Sequence, residues 1–265
     1  MGKTVALGIA GVTISAAMLA LGFAAGNRAD MSAAPQEVAA AVEPAAGTRG
    51  EIETVVREYL LSNPEILSDM QIALEEKERE LQRVAQVETI ASSSDAIFDA
   101  EHDGVVGNPE GSVTIVEFFD YNCGFCRRAM DDMDAMVEAN PDLRFVLKEL
   151  PILGPDSQKA HVVSMAFRAL APEKYAAFHR ELLSGERATE DAAIRVAVAQ
   201  GVDEAALREE MKNPAIMDAF NQTYELASRL SITGTPSYVI GEEVVFGALG
   251  LSVLQEKVDQ VQASN

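Results

Sequence analysis

The sequence predicts a mixed α/β chain, and three observations carry that reading. A buried strand, "VTIVEFF" at 113–119, runs into a helix that opens on "CGFC", and a second strand, "LRFVLKEL" at 143–150, completes a β-α-β unit. From Pro155 to Leu230 helical periods dominate, broken at Ala171-Pro172, Ser184-Gly185, Gly201 and Asn213-Pro214, which predicts four or five packed helices. Strands return only at "PSYVI" and "EEVVFG", ahead of a closing helix, "LSVLQEKVDQVQ".

The totals fit such a chain. With 48% hydrophobic and 24% charged residues over 265 positions, a sizeable core can be built. The formal net charge of −21 repels phosphate backbones and anionic lipid across most of the surface, so nucleic acid is excluded as a partner. The absence of Trp and the scarcity of Tyr also remove the basic and aromatic interleaving of single-strand binders.

The elements are justified in chain order. Between Lys3 and Arg28 every residue is uncharged, which predicts a signal peptide over residues 1–26 or an inner-membrane anchor over residues 4–26. Either places the remainder on the far side of the membrane, which in a bacterium is the oxidising periplasm. Residues 27–49 are rich in Ala and Pro and read as a linker. Residues 50–92 form a helical segment. "EIETVVREYLLS" gives a short amphipathic helix, and Asn63-Pro64 supplies an N-cap and a first-turn proline for a second helix over about 64–92. That helix carries a narrow stripe, Leu67, Met70, Leu74, Leu81 and Val84, interrupted by Lys77. It must be covered by the main domain or by another copy of itself. The stretch 92–112 that follows is polar.

Cys123 and Cys126 are the only cysteines. A structural bridge across so short a loop restrains little of the unfolded chain, and a protein this size does not need it. A zinc site requires two further ligands, and His102, His161 and His179 are not paired at ligand spacing, so no metal and no other cofactor is expected. Redox exchange fits the pattern better. A cysteine at the start of a helix meets unpaired backbone N–H groups and the positive end of the helix dipole, which favours the thiolate and makes Cys123 the nucleophile. Cys126, three residues on, shares its helical face and can resolve a mixed disulfide.

"VEFFDYNCGFC", the second strand, the helical block and "TGTPSYVI" together resemble the exported thioredoxin-fold oxidoreductases of the DsbA group, over about residues 95–262. The resemblance implies a thioredoxin-like domain from residues 93–154 and 232–265, split by an all-helical insertion at 155–231. It implies that Pro236 is cis, with Thr235 before it, and that the two present a client segment beside the sulfurs. Glu117 matches a buried acid that moves the proton of the resolving cysteine; burial raises a carboxyl pKa into a useful range. Lys148 on the neighbouring strand is its expected partner, and a solvent-facing edge position is the competing reading for Glu117. Phe125, with Phe118, Phe119 and Tyr121, is expected to give an apolar rim for clients. Strongly oxidising members carry a histidine between the cysteines; here Gly124-Phe125 predicts a less oxidising couple and a less stabilised Cys123 thiolate.

"REYLLSNPEIL" and the charged helix after it resemble the leader of the suppressor-of-copper-sensitivity C (ScsC) and Com1-like proteins, in which this segment brings protomers together. That implies a homo-oligomer, a trimer, formed through residues 50–92. The expected activity is therefore disulfide isomerisation on unfolded or misoxidised exported proteins, with a membrane redox partner resetting the cysteines. A monomeric dithiol oxidase competes within the class. An exported Cu(I)-binding or client-holding module, using the cysteines with Met130, Met133 and Met136, is the rival from another class.

Overall fold

The computed structural model describes residues 48–264. The expected signal peptide or anchor and nearly all of the linker lie outside the described residues. No helix among the described residues is long and apolar enough to cross a membrane. The described residues fall into two units, 48–62 and 63–264. The first is described by one helix, α1 (Arg49–Ser62), which buries none of its residues and exposes Ile52, Val55, Tyr59 and Leu61.

The second unit is built on a five-stranded sheet. Its strands are β1 (Gly104–Gly107), β2 (Val113–Phe119), β3 (Leu143–Glu149), β4 (Ser237–Ile240) and β5 (Glu243–Phe246), in the order β1-β3-β2-β4-β5. β2 and β3 are parallel, as their helical crossover α4 (Gly124–Ala139) requires; the other pairings are antiparallel. Both faces of β2 are covered, which is why it reads as a continuous apolar run. Val113, Ile115 and Phe119 face a core shared with α4, the helical block and α10 (Leu251–Ser264). Val116 and Phe118 face a second core.

The helical block comprises α5 (Pro155–Leu170), a 3₁₀ turn, α6 (Tyr175–Ser184), α7 (Glu190–Ala199), α8 (Glu204–Glu210) and α9 (Pro214–Arg229). Five α-helices match the sequence expectation, and Thr189, Asp203 and Asn213 each cap the next helix by accepting a backbone N–H.

The N-terminal part of this unit departs from expectation in three ways. The long helix, α2 (Ile66–Ser92), starts two residues later than predicted, and Glu65, in helical conformation, stands at its cap without a side-chain bond. Its boundary is not a domain boundary: Gln86 and Ile90 are buried, Gln86 donates to the Leu230 carbonyl (2.8 Å), and Ile90 belongs to the second core. The stripe from Leu67 to Val84 stays exposed. Two elements arise within the polar stretch 92–112, α3 (Ser94–Phe98) and β1. β1 has glycine at both ends: a Cβ at Gly104 would come within 1.9 Å of the Tyr175 ring, and Gly107 has φ +91°.

Candidate active site

β2 ends at Phe119, and the turn Asp120-Tyr121-Asn122 delivers the chain to α4 with Cys123 as its N-cap. The turn closes with the Cys123 N–H on the Asp120 carbonyl (2.9 Å). Cys123 Sγ accepts the Cys126 N–H at 3.4 Å, using one of the donors that a helix start leaves unpaired. Both thiols are free. Cys123 is 5% exposed, while Cys126 on the inner face of α4 is wholly covered.

The segment before β4 comes up against the first sulfur. Thr235-Pro236 is a cis peptide, and Cys123 Sγ donates to the Thr235 carbonyl at 3.1 Å. Residues 112 positions apart in sequence thus meet at the nucleophile. Pro236 is itself held, its carbonyl accepting the Gly247 N–H (2.9 Å).

Burial and hydrogen bonding separate the two thiols. Cys123 is pushed down to about 5: the hydrogen bond from the Cys126 thiol counts most, the Thr235 side chain and the N–H groups of Cys126 and Phe125 add to it, and burial opposes them. Cys126 is held far above the usual thiol range by burial, by its bond to Cys123 and by the charge of Glu117. Glu117 is 4% exposed on the central strand, not on an edge, and burial with the Cys123 charge pushes it up to about 8. Tyr238 lies directly across from it in register, also buried.

Lys148 is not the partner of Glu117. Residue 117 pairs in register with Leu147 and residue 118 with Lys148, so alternation sends the two charges to opposite faces of the sheet. Lys148 instead makes a buried ion pair with Asp103 and donates to the Ala96 carbonyl. The expected apolar rim also shrinks. Phe118, Phe119 and Tyr121 are fully buried, and only Phe125 is exposed, at 57%, with the Arg128 guanidinium 4.2 Å over its ring. Met133 and Met136 are core residues of α4, and Met130 packs against the same core.

The sequence reading missed a polar cluster beneath the turn. The Asp120 carboxylate, the Asn122 amide and Ser157 are bonded together. His161 accepts the Tyr121 N–H at Nε2 (3.1 Å), which leaves its ring proton on Nδ1, toward Glu149 Oε2 (2.7 Å). Arg127 ties the start of α4 to the end of α6 through the carbonyls of Leu183 (2.8 Å) and Glu186 (3.1 Å). The Asp-x-Asn spacing before Cys123 was the available signal, since both residue types bond turn backbones.

The sequence matches the family described as DSBA-like thioredoxin domain over residues 114–259, more than half of the chain. The chain belongs to the DSBA-like thioredoxin family. Residues 49–80 of this DSBA-like chain also match the family described as copper resistance protein ScsC N-terminal domain. A thioredoxin-like oxidoreductase from Silicibacter pomeroyi DSS-3 is 40% identical, covering 64% of this chain and 97% of its own, with a TM-score of 0.61. A Proteus mirabilis ScsC variant is 26% identical over 84% of this chain and 100% of its own, with a TM-score of 0.64. Salmonella enterica Typhimurium BcfH is 26% identical over 80% and 94%, with a TM-score of 0.69. Among curated proteins, Na(+)/H(+) antiporter NhaA 1 of Mycobacterium sp. (strain KMS) is 25% identical over 146 residues, 54% of this chain; the chain spans about a quarter of that relative's length, 24%.

Proposed function

We propose that this chain is an exported thiol–disulfide oxidoreductase that rearranges disulfides in client proteins of the periplasm. The observation that carries the reading is the meeting of Cys123 Sγ with the Thr235-Pro236 backbone, with Cys126 buried one turn behind. A client strand laid along Thr235 presents its sulfur to the one thiol that ionises readily.

The steps balance on these residues. The Cys123 thiolate attacks one sulfur of a client disulfide, that S–S bond breaks, and the other client sulfur leaves as a thiolate. In isomerisation this freed thiolate attacks another client disulfide, and a client thiolate finally displaces Cys123, with no net electron transfer. In reduction Cys126 gives its proton to Glu117 and attacks Cys123 Sγ; the client sulfur leaves as a thiolate, two electrons pass to the client, and the Cys123–Cys126 disulfide remains. Glu117, pushed up to about 8 by burial and by the Cys123 charge, is ionised and able to accept that proton above about pH 8. The mixed disulfide removes the Cys123 charge and with it one of the two causes of the rise. A membrane redox partner would then reset the pair.

Support for isomerisation over simple oxidation comes from the exposed apolar residues of α1 and of α2 up to Val84, and from the match of residues 49–80 to the ScsC N-terminal domain. Several thiol sites in one assembly can hold a client while one of them captures a wrong bridge. The deciding assay is reactivation of a protein with scrambled disulfides. The wild type is expected to restore activity and Cys123→Ser to abolish it; a Cys123→Ser variant as active as the wild type would remove the nucleophile from the proposal.

A further inference from the structure

Asp120 is fully buried, three residues before the nucleophile, and takes no part in the exchange steps. Its carboxylate joins three segments. Oδ1 accepts the Asn122 N–H (2.8 Å) and the Ser157 hydroxyl (2.8 Å), and Oδ2 accepts the Leu153 N–H (2.9 Å). His161 Nε2 lies 3.9 Å from Oδ1, its lone pair already engaged by the Tyr121 N–H. Asn122 extends the joint, exchanging hydrogen bonds with the backbone of Ala188 (2.9 Å each way).

The segment on Oδ2 is the loop between β3 and α5. Its Pro151 carbonyl accepts the Tyr224 hydroxyl (2.7 Å), yet Ile152 and Leu153 are 39% and 52% exposed. Two anchors therefore hold an apolar tip in water, beside the turn that carries Cys123. A protein gains nothing in its own stability from presenting two such side chains to solvent.

We propose that Asp120 is a positioning residue for client exchange, fixing the Ile152–Leu153 loop beside the Cys123 turn so that an apolar client segment and the nucleophile are engaged together. This rests on the oxidoreductase reading above. A carboxylate is required, because acceptors are needed on both oxygens. In Asp120→Asn the amide keeps its oxygen where two donors converge, at Asn122 and Ser157, and turns its NH₂ toward the Leu153 N–H. Donor then faces donor, and the loop is released while the Cys123 turn keeps its bonds.

The test compares second-order rate constants of the reduced full-length protein with a cysteine-peptide disulfide flanked by apolar residues and with glutathione disulfide. In Asp120→Asn, and separately in the surface double variant Ile152→Ser/Leu153→Ser, the ratio of peptide rate to glutathione rate is expected to fall at least about fivefold, since apolar contact is lost. A merely structural Asp120 would lower both rates by the same factor, which would overturn the proposal. So would an unchanged ratio in the loop variant, which decides the matter if Asp120→Asn fails to fold. A wild type that exchanges with neither disulfide would overturn the oxidoreductase reading and this one with it. An active wild type with unchanged ratios would overturn this one alone.

Discussion

At Cys123 the chemistry is set by a handful of hydrogen bonds. Strong oxidants of this family hold the corresponding thiol near about 3.5 and thioredoxin holds it near about 7; a thiol pushed down to about 5 lies between them, in keeping with Gly124-Phe125 in place of a histidine. The unfolded chain ionises its thiols at about 8.5. Because the folded value is the lower one, this thiol stabilises the reduced fold fully above about pH 8.5, and the contribution is lost as pH falls through about 5. Alkylation of the native reduced protein by iodoacetamide is expected to modify Cys123 alone, with a rate that falls at a midpoint near pH 5; a midpoint above 7 would contradict the hydrogen-bonded thiolate. At this scale the sequence was legible wherever a motif spans a few residues. Spacing and resemblance single out the Cys pair, Glu117 and Thr235-Pro236, and the structure brings the Thr235 carbonyl to 3.1 Å from Cys123 Sγ and buries Glu117. The joint of Asp120 and Asn122 is not singled out, because the bonds to Leu153, Ser157 and Ala188 span between 33 and 66 residues and those partners carry no pattern of their own. Lys148 was misassigned because strand register, unlike strand existence, cannot be read from two separate apolar runs.

α2 changes character along its length. Up to Val84 its apolar stripe is exposed, and from Gln86 onward it is part of the domain core, where Ile90 packs with Ile97, Phe118 and Leu230. Ile90→Ala is expected to destabilise the second unit by about 2–5 kcal/mol, the range for truncating a packed aliphatic side chain. In thermal unfolding, a chain beginning at residue 84 should melt close to the full-length protein, while one beginning at residue 93 melts well below it. Equal melting temperatures for both truncations would show that the docked turns contribute nothing. No sequence signal marks this division, since the helix runs on past Val84 and only the identity of the covering surface changes. α3 and β1 escaped for the opposite reason. Five residues and four residues are too short for either period to be read, and β1 is held by its pairing with β3 rather than by its own propensity.

Across the chain the net charge of −21 opposes association, so copies that meet must do so through an apolar surface large enough to outweigh it. The stripe on α2 is an exposed apolar surface, and the match of residues 49–80 to the ScsC N-terminal domain coincides with much of it. Light scattering is expected to report an oligomer for the wild type and a monomer for Leu74→Asp/Leu81→Asp, with the oligomer strengthening as salt screens the charge. A monomeric wild type at tens of micromolar would remove the basis for preferring isomerisation over oxidation. The architecture itself was largely legible, because the β-α-β unit, the helical block and the returning hairpin follow one another in the sequence.

The unbroken run of α2 from its exposed stripe into the core has one more consequence. A helix rises about 1.5 Å per residue, so Leu67 and Ile90 sit about 35 Å apart on one continuous rod. Copies joined through the outer turns would carry their thiols at the ends of rods of fixed length rather than on slack tethers. Such an assembly would act as a caliper: a client would have to be extended or loosely folded enough to bridge the gap before two sulfurs could work on it at once, and a compact native protein would be passed over by geometry alone.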